Sequence, residues 1–175
     1  MSDFPLQKEA EIVLGVDPGT ATTGYGVIRC TANRFQLVDC GVIRTAPNVP
    51  LSQRYKTLYL SLCDLIKKHS PQAASVETQF VHRNPQSAIK LGMARGMLLL
   101  AAALNGVEVF EYAPSEAKLA VTGSGRATKE CVKKMVGHLV AFSMENIPED
   151  ATDARAIAVC HAQSAASKRQ LGVKL

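Results

Sequence analysis

A chain of 175 residues, 47% apolar and 20% charged, suits one folded domain with a sizeable core, and its formal charge of +5 fits a polyanionic partner. Five cysteines, none in a C-x-x-C pair, exclude a disulfide framework and a zinc site. The opening residues, with Asp3, Glu9 and Glu11, are no signal peptide, and the longest apolar run, Met97 to Leu104, is too short to cross a bilayer, which leaves a soluble protein of the cytoplasm with no membrane partner.

Residues 1–11 read as an N-terminal extension, and residues 12–167 as a single domain. The run Ile12–Val16 is short, β-branched and closed by Asp17-Pro18-Gly19, the pattern of a buried strand entering a tight connection. Gly24–Arg29 and Phe35–Arg44 continue it as an antiparallel meander, which Pro47-Asn48-Val49-Pro50 ends. Leu51–His69 is an amphipathic helix, with Leu51, Tyr55, Leu58, Leu62, Leu65 and Ile66 at helical spacing. Ala73–Thr78 is a short strand carrying Glu77. Asn84-Pro85 opens a long helix through Leu104, stopped at Gly106, and Val107–Tyr112 is the next strand. Pro114 opens a short helix, Gly123-Ser124-Gly125 interrupts, and Ala127–Ala141 is helical again. Asn146, Ile147, Pro148 and Glu149 form a capped entry to a last helix ending near Ser167, before a frayed tail, 168–175. The order βββαβαβααα implies an α/β fold: a mixed five-stranded sheet, antiparallel in the meander and parallel where helices cross over, flanked by helices.

In such sheets, sites form at the carboxyl ends of central strands, where Asp17 and Glu77 both fall. Asp17 either bonds its own backbone to start the turn or faces a site, and Glu77 is either a solvated strand end or its neighbour. Asp150 and Asp153, three residues apart, project from one side of a helix's first turn. The helix dipole favours acidic residues there, but Ala151, Ala154, Ala156 and Ala158 let that turn approach another element closely. Four gathered carboxylates in a basic protein call for cations or raised pKa values. Hard divalent ions answer that need, and two of them about 3.5–4 Å apart serve phosphodiester cleavage. Two basic segments lie near. From Thr78 through Val107 there is no acidic residue, while Arg83, Lys90 and Arg95 occur. Lys118, Arg126, Lys129, Lys133 and Lys134 face Glu130 alone, beside a Gly-Ser-Gly loop whose amides suit phosphate contact.

The stretches LGVDPGTATTGYGVI, VETQF, NPQSAIKLGMARG, VFEYAPSEAKLAVTGSGRATKECVKKMV and DATDARAIA run in order from about residue 12 to residue 162. They resemble the RuvC family of bacterial Holliday-junction resolvases, within the retroviral-integrase and ribonuclease H-like superfamily. The resemblance implies a ribonuclease H-like fold and a crossover junction endodeoxyribonuclease. Such an enzyme resolves four-way DNA junctions by paired symmetric nicks, through two-metal-ion hydrolysis, in homologous recombination and DNA repair. It places a catalytic, metal-binding tetrad on Asp17, Glu77, Asp150 and Asp153, with two Mg²⁺ ions for which Mn²⁺ substitutes. It makes Lys118 and Lys129 DNA contacts, to which the basic segments add Arg83 and Arg126. Phe80, otherwise an ordinary core residue, becomes a wedge at the junction's opened centre. A homodimer and association with the branch-migration proteins RuvA and RuvB are also implied. The apolar face of the helix from Asn84 to Leu104, with Ala88, Gly92 and Gly96, is the dimer surface, although core burial explains part of that run.

Two departures from the family pattern stand out. The extension before Ile12 is long, and Arg155 takes a position that is usually apolar. At about 100° per residue Arg155 points roughly 200° from Asp153 and leaves the tetrad intact. Two other classes compete. Asp17-Pro18-Gly19-Thr20 resembles the first phosphate loop of the actin and sugar-kinase ATPases, and Asp39-Cys40-Gly41 imitates the second, but that fold needs two large lobes. A non-catalytic junction-binding module requires a missing tetrad member, and none is missing.

Overall fold

Alternation along the first strand decides the layers. In β1 (Glu11–Asp17), Leu14 and Val16 point into one apolar cluster and Val13 into another, so Gly15 and Asp17 share the face of Val13. The computed structural model describes residues 10–19, 21–31, 34–78, 85–140 and 148–170. After β1 come β2 (Thr22–Thr31), β3 (Arg34–Arg44), α1 (Leu51–His69), β4 (Ala73–Glu77), α2 (Pro85–Leu104) and β5 (Glu108–Tyr112). Helices α3 (Pro114–Thr122), α4 (Lys129–Leu139) and α5 (Glu149–Gln170) follow. The order is the predicted one, with corrected ends. Glu11 belongs to β1, where it pairs with Cys30, and not to an extension. The fourth helix starts at Lys129 because the Thr128 hydroxyl accepts the Cys131 N–H and caps it there. The last helix runs on to Gln170, since no glycine or proline interrupts it before Gly172.

The sheet order is β3-β2-β1-β4-β5, antiparallel across β3, β2 and β1 and parallel across β1, β4 and β5. Val16 lies beside Val76, so the next residues, Asp17 and Glu77, end adjacent parallel strands on one face. Helices α1 and α2 cover the other face through Leu58, Leu62, Ile66, Leu98 and Ala101 against Leu14, Val16 and Val76. The end of α1 is clasped to β3, with Lys68 Nζ and His69 Nε2 at 2.8 and 2.9 Å from Asp39 Oδ2. Burial pushes the Asp39 carboxyl up, but the hydrogen bonds from Lys68 and His69 outweigh it and hold the group below its ordinary value.

Helix α2 buries Ala94, Leu98, Ala101 and Ala102 and leaves Ile89, Met93, Leu100 and Leu104 exposed. As a whole it is long and apolar enough to cross a membrane, with a mean hydropathy of 1.5, which the shorter run Met97–Leu104 did not reveal. Its buried face is accounted for by the core it shares with α1.

On the Asp17 face, α5 lies almost on the backbone of β1 and β2. Ala151, Ala154 and Ala158 are fully buried. A Cβ on Gly15 would land on the carbonyl oxygen of Ala154, one on Gly24 on that of Asp150, and one on Gly26 against the side chain of Arg155. Only hydrogen in place of a side chain permits this approach. Because the obstructing atoms are backbone, Gly15→Ala is expected to push α5 away from the sheet. Urea unfolding should show a loss of about 3 kcal/mol, the upper part of the usual range for overpacking.

Candidate active site

Asp17 is the last residue of β1, and the connection after it is pinned from the strand it leads into. The buried Thr23 hydroxyl donates to the Gly19 carbonyl at 3.2 Å and accepts the Gly19 N–H at 3.3 Å. Glu77 ends β4 beside it, and the close docking of α5 brings up the helix's first turn. Asp17, Glu77 and Asp153 thereby line one cavity of about 290 Å³, together with Lys118 from α3 and Lys129 from the start of α4. Ala117, Val132, Ala156 and Ile157 form its apolar wall.

The charges act strongly on one another. Burial pushes the Asp17 carboxyl up to about 7, with Glu77, Asp153 and Asp150 adding like charge and Lys129 opposing them. Burial, then Asp153, also raises Glu77, while Lys118 and Lys129 pull it down. Lys129 Nζ approaches Asp153 Oδ2 at 3.9 Å. Asp150 does not line the cavity but stands close enough to act on Asp17. Among the described residues, no three His, Cys, Asp or Glu side chains are already arranged as a metal cage. In kind, the donors fit a hard divalent cation: they are carboxylate oxygens whose mutual repulsion a cation relieves.

The other sequence candidates fall in several places. Arg126 is exposed in the loop between α3 and α4, where its N–H donates to Ser124 Oγ at 3.4 Å, and it is not part of the cavity wall. Phe80 and Arg83 lie outside the described residues. Arg155 points away from the cavity, as its position on the helix requires. It is fully buried against Gly26, with Nη2 donating to Thr152 Oγ1 at 3.3 Å. Asp39 is engaged with Lys68 and His69 and does not meet Asp17, so the likeness to a pair of phosphate loops has no spatial counterpart. The apolar wall was not singled out from sequence. Ala156 and Ile157 sit three and four residues beyond Asp153, a spacing that marks them as its neighbours. Ala117 and Val132 carried no such signal.

Residues 13–161 match the family model described as crossover junction endodeoxyribonuclease RuvC. The chain belongs to the RuvC family. The crossover junction endodeoxyribonuclease RuvC of Protochlamydia amoebophila (strain UWE25) is 51% identical over 152 residues, 87% of this chain and 90% of that protein. That of Pelotomaculum thermopropionicum is 46% identical over 163 residues, covering 93% and 99%. The structure of T. thermophilus RuvC in complex with Holliday junction substrate aligns at a TM-score of 0.86 and 34% identity, over 90% of this chain and 96% of that one. The fold is accordingly the ribonuclease H-like mixed sheet of the RuvC family, and membership makes the chain a nuclease of the crossover junction class.

The raised Asp17 carboxyl has a consequence for stability with a definite sign. Between its ordinary 3.8 and about 7, the folded chain binds a proton that the unfolded chain releases, so stability falls as pH rises through that window. Without divalent ions, Asp17→Asn is therefore expected to stabilise the protein at pH 8 by about 2 kcal/mol. That is roughly half the full linkage value, since the cavity is open to water. Near pH 4 the difference should vanish, and thermal melts at the two pH values would show it.

Proposed function

We propose that this chain resolves four-way DNA junctions by paired symmetric nicks in opposed strands, through divalent-ion-dependent phosphodiester hydrolysis, in homologous recombination and DNA repair. The observation that carries the reading is the convergence of Asp17, Glu77 and Asp153 with Lys118 and Lys129 on one cavity, in a chain of the RuvC family. Asp17, Glu77, Asp150 and Asp153 would hold the cations, two Mg²⁺ with Mn²⁺ able to replace them. When bound, such ions activate water and stabilise the leaving oxygen. The chain's own contribution is placement and charge. Its carboxylates repel a phosphodiester until their charge is neutralised, which reserves the cavity for DNA that arrives with cations. Lys118 and Lys129 hold the phosphate at the rim, and Ala117, Val132, Ala156 and Ile157 give the cavity one apolar side.

The exposed face of α2, with Ile89, Met93, Leu100 and Leu104, is the proposed homodimer surface. A two-fold pair presents two identical cavities to a junction of the same approximate symmetry. Phe80 is proposed as the wedge at the junction centre, and Arg83 and Arg126 as further phosphate contacts. RuvA and RuvB are the proposed partners, by family likeness. All five cysteines are free, which agrees with a cytoplasmic setting.

Asp17→Asn, Glu77→Gln, Asp150→Asn and Asp153→Asn each keep size and remove a charge. Each is expected to abolish nicking of a synthetic four-way junction in Mg²⁺ while still binding it in chelator. Normal cutting by Asp150→Asn or Asp153→Asn would remove that residue from the site, and loss of binding together with cleavage in all four would make them structural. For the lysines, the logarithm of junction affinity against that of salt should lose about one unit of slope with each of Lys118→Ala and Lys129→Ala. An unchanged slope in the double variant takes both off the DNA surface.

A further inference from the structure

We propose that His161 is a positioning residue for the carboxylate site: a buried imidazole that ties α5 to the two strand systems ending in Asp17 and Glu77. The proposal rests on the reading of those carboxylates given above. His161 is fully buried on α5, eight residues beyond Asp153, about 12 Å along the same helix. Its Nδ1 lies 2.8 Å from the hydroxyl of Tyr112. Tyr112 ends β5 opposite Glu77 in the parallel register. The Tyr112 carbonyl accepts both the N–H of Thr78, at 2.8 Å, and its hydroxyl, at 3.3 Å, so it clasps the residue that directly follows Glu77. On the other side of the ring, Nε2 stands 4.0 Å from Oε1 of Glu11, the first residue of the strand that ends in Asp17. Phe110 stacks on the imidazole with ring centroids 4.4 Å apart.

The tautomer follows from these neighbours. The Glu11 carboxylate beside Nε2 can only accept, so the ring proton sits on Nε2 and Nδ1 accepts from the Tyr112 hydroxyl. One side chain thus links the helix bearing Asp150 and Asp153 to β1 and to β5 with its neighbour β4.

Such a link adds direction to a contact that, against β1 and β2, is made largely of alanine on glycine. Alanines on glycine-bearing strands resist separation, but apolar contact has no direction and opposes sliding weakly. Ion binding tolerates ligand displacements of only about 0.2 Å. A directional bond two turns along the helix fixes the axial position that close packing leaves soft.

The test uses the full chain, with Mn²⁺ as the probe and no DNA. Tyr112→Phe removes one hydroxyl and keeps the ring. His161→Leu removes both polar contacts. Electron paramagnetic resonance titration of Mn²⁺ is expected to show binding weakened about three- to tenfold by Tyr112→Phe, below the roughly 10–100-fold typical of partners that touch a ligand directly. The Mg²⁺ midpoint for nicking should rise by the same factor, junction affinity in chelator should not change, and the double variant should be no worse than His161→Leu. If both variants lower Tm yet leave Mn²⁺ affinity and the Mg²⁺ midpoint at wild-type values, His161 is core packing and the proposal is overturned. If the wild type itself binds no more Mn²⁺ than Asp17→Asn, the carboxylate reading fails and takes this one with it, an outcome the Asp17→Asn control separates from the first.

Discussion

The approach of α5 to the backbone of β1 and β2 is the constraint on which the rest depends. Gly15 and Gly24 leave no room for a side chain between strand and helix, and the backbone carbonyls of Ala154 and Asp150 occupy the space. Asp150 and Asp153 belong to the first turn of that helix, so the distance from them to Asp17 is set by whether two strand positions carry a Cβ. The apolar clusters hold the layers together, but they would do so equally well with a helix a few ångströms further out. It is the missing side chains that turn an ordinary sheet-and-helix layer into a place where carboxylates meet.

What meets there is uncomfortable by design of the chemistry. Desolvation and like charge both disfavour ionised Asp17, where Lys129 relieves only part of that cost, and ionised Glu77, where Lys118 and Lys129 do the same. Repulsion of this kind is what a hard cation relieves, and the fold tolerates it because two apolar clusters hold the layers together.

Much of this was legible in the sequence, for definite reasons. Strand parity puts Asp17 and Glu77 on one face once β1 and β4 are parallel, and helical spacing puts Asp153 beside Ala156 and Ile157. The alanines around Asp150 announced close packing, although the sequence did not name Gly15 and Gly24 as the receiving surface. Arg155 was placed correctly by angle, but nothing in the pattern foretold full burial of a guanidinium over Gly26. Ala117 and Val132 stayed hidden because they reach the cavity through the arrangement of α3 and α4, and Tyr112 and His161 because a contact across 49 positions leaves no local periodicity. The fourth helix starts two residues later than apolar pattern alone indicated, because a side-chain cap decided its start.

The two faces of the sheet answer acid in opposite senses. On the α1 face, the clasp of Asp39 by Lys68 and His69 contributes stability above the ordinary carboxylate range and loses it as Asp39 protonates. On the α5 face, Asp17 and Glu77 are relieved by protonation and burdened as pH climbs. The contributions of these groups to the ion-free fold are therefore jointly most favourable in mildly acidic solution, where Asp39 is ionised and Asp17 protonated. Divalent cations held as proposed would neutralise only one of the two faces and widen that range toward alkaline pH, so the pH profile of stability would itself gauge whether the site is charged.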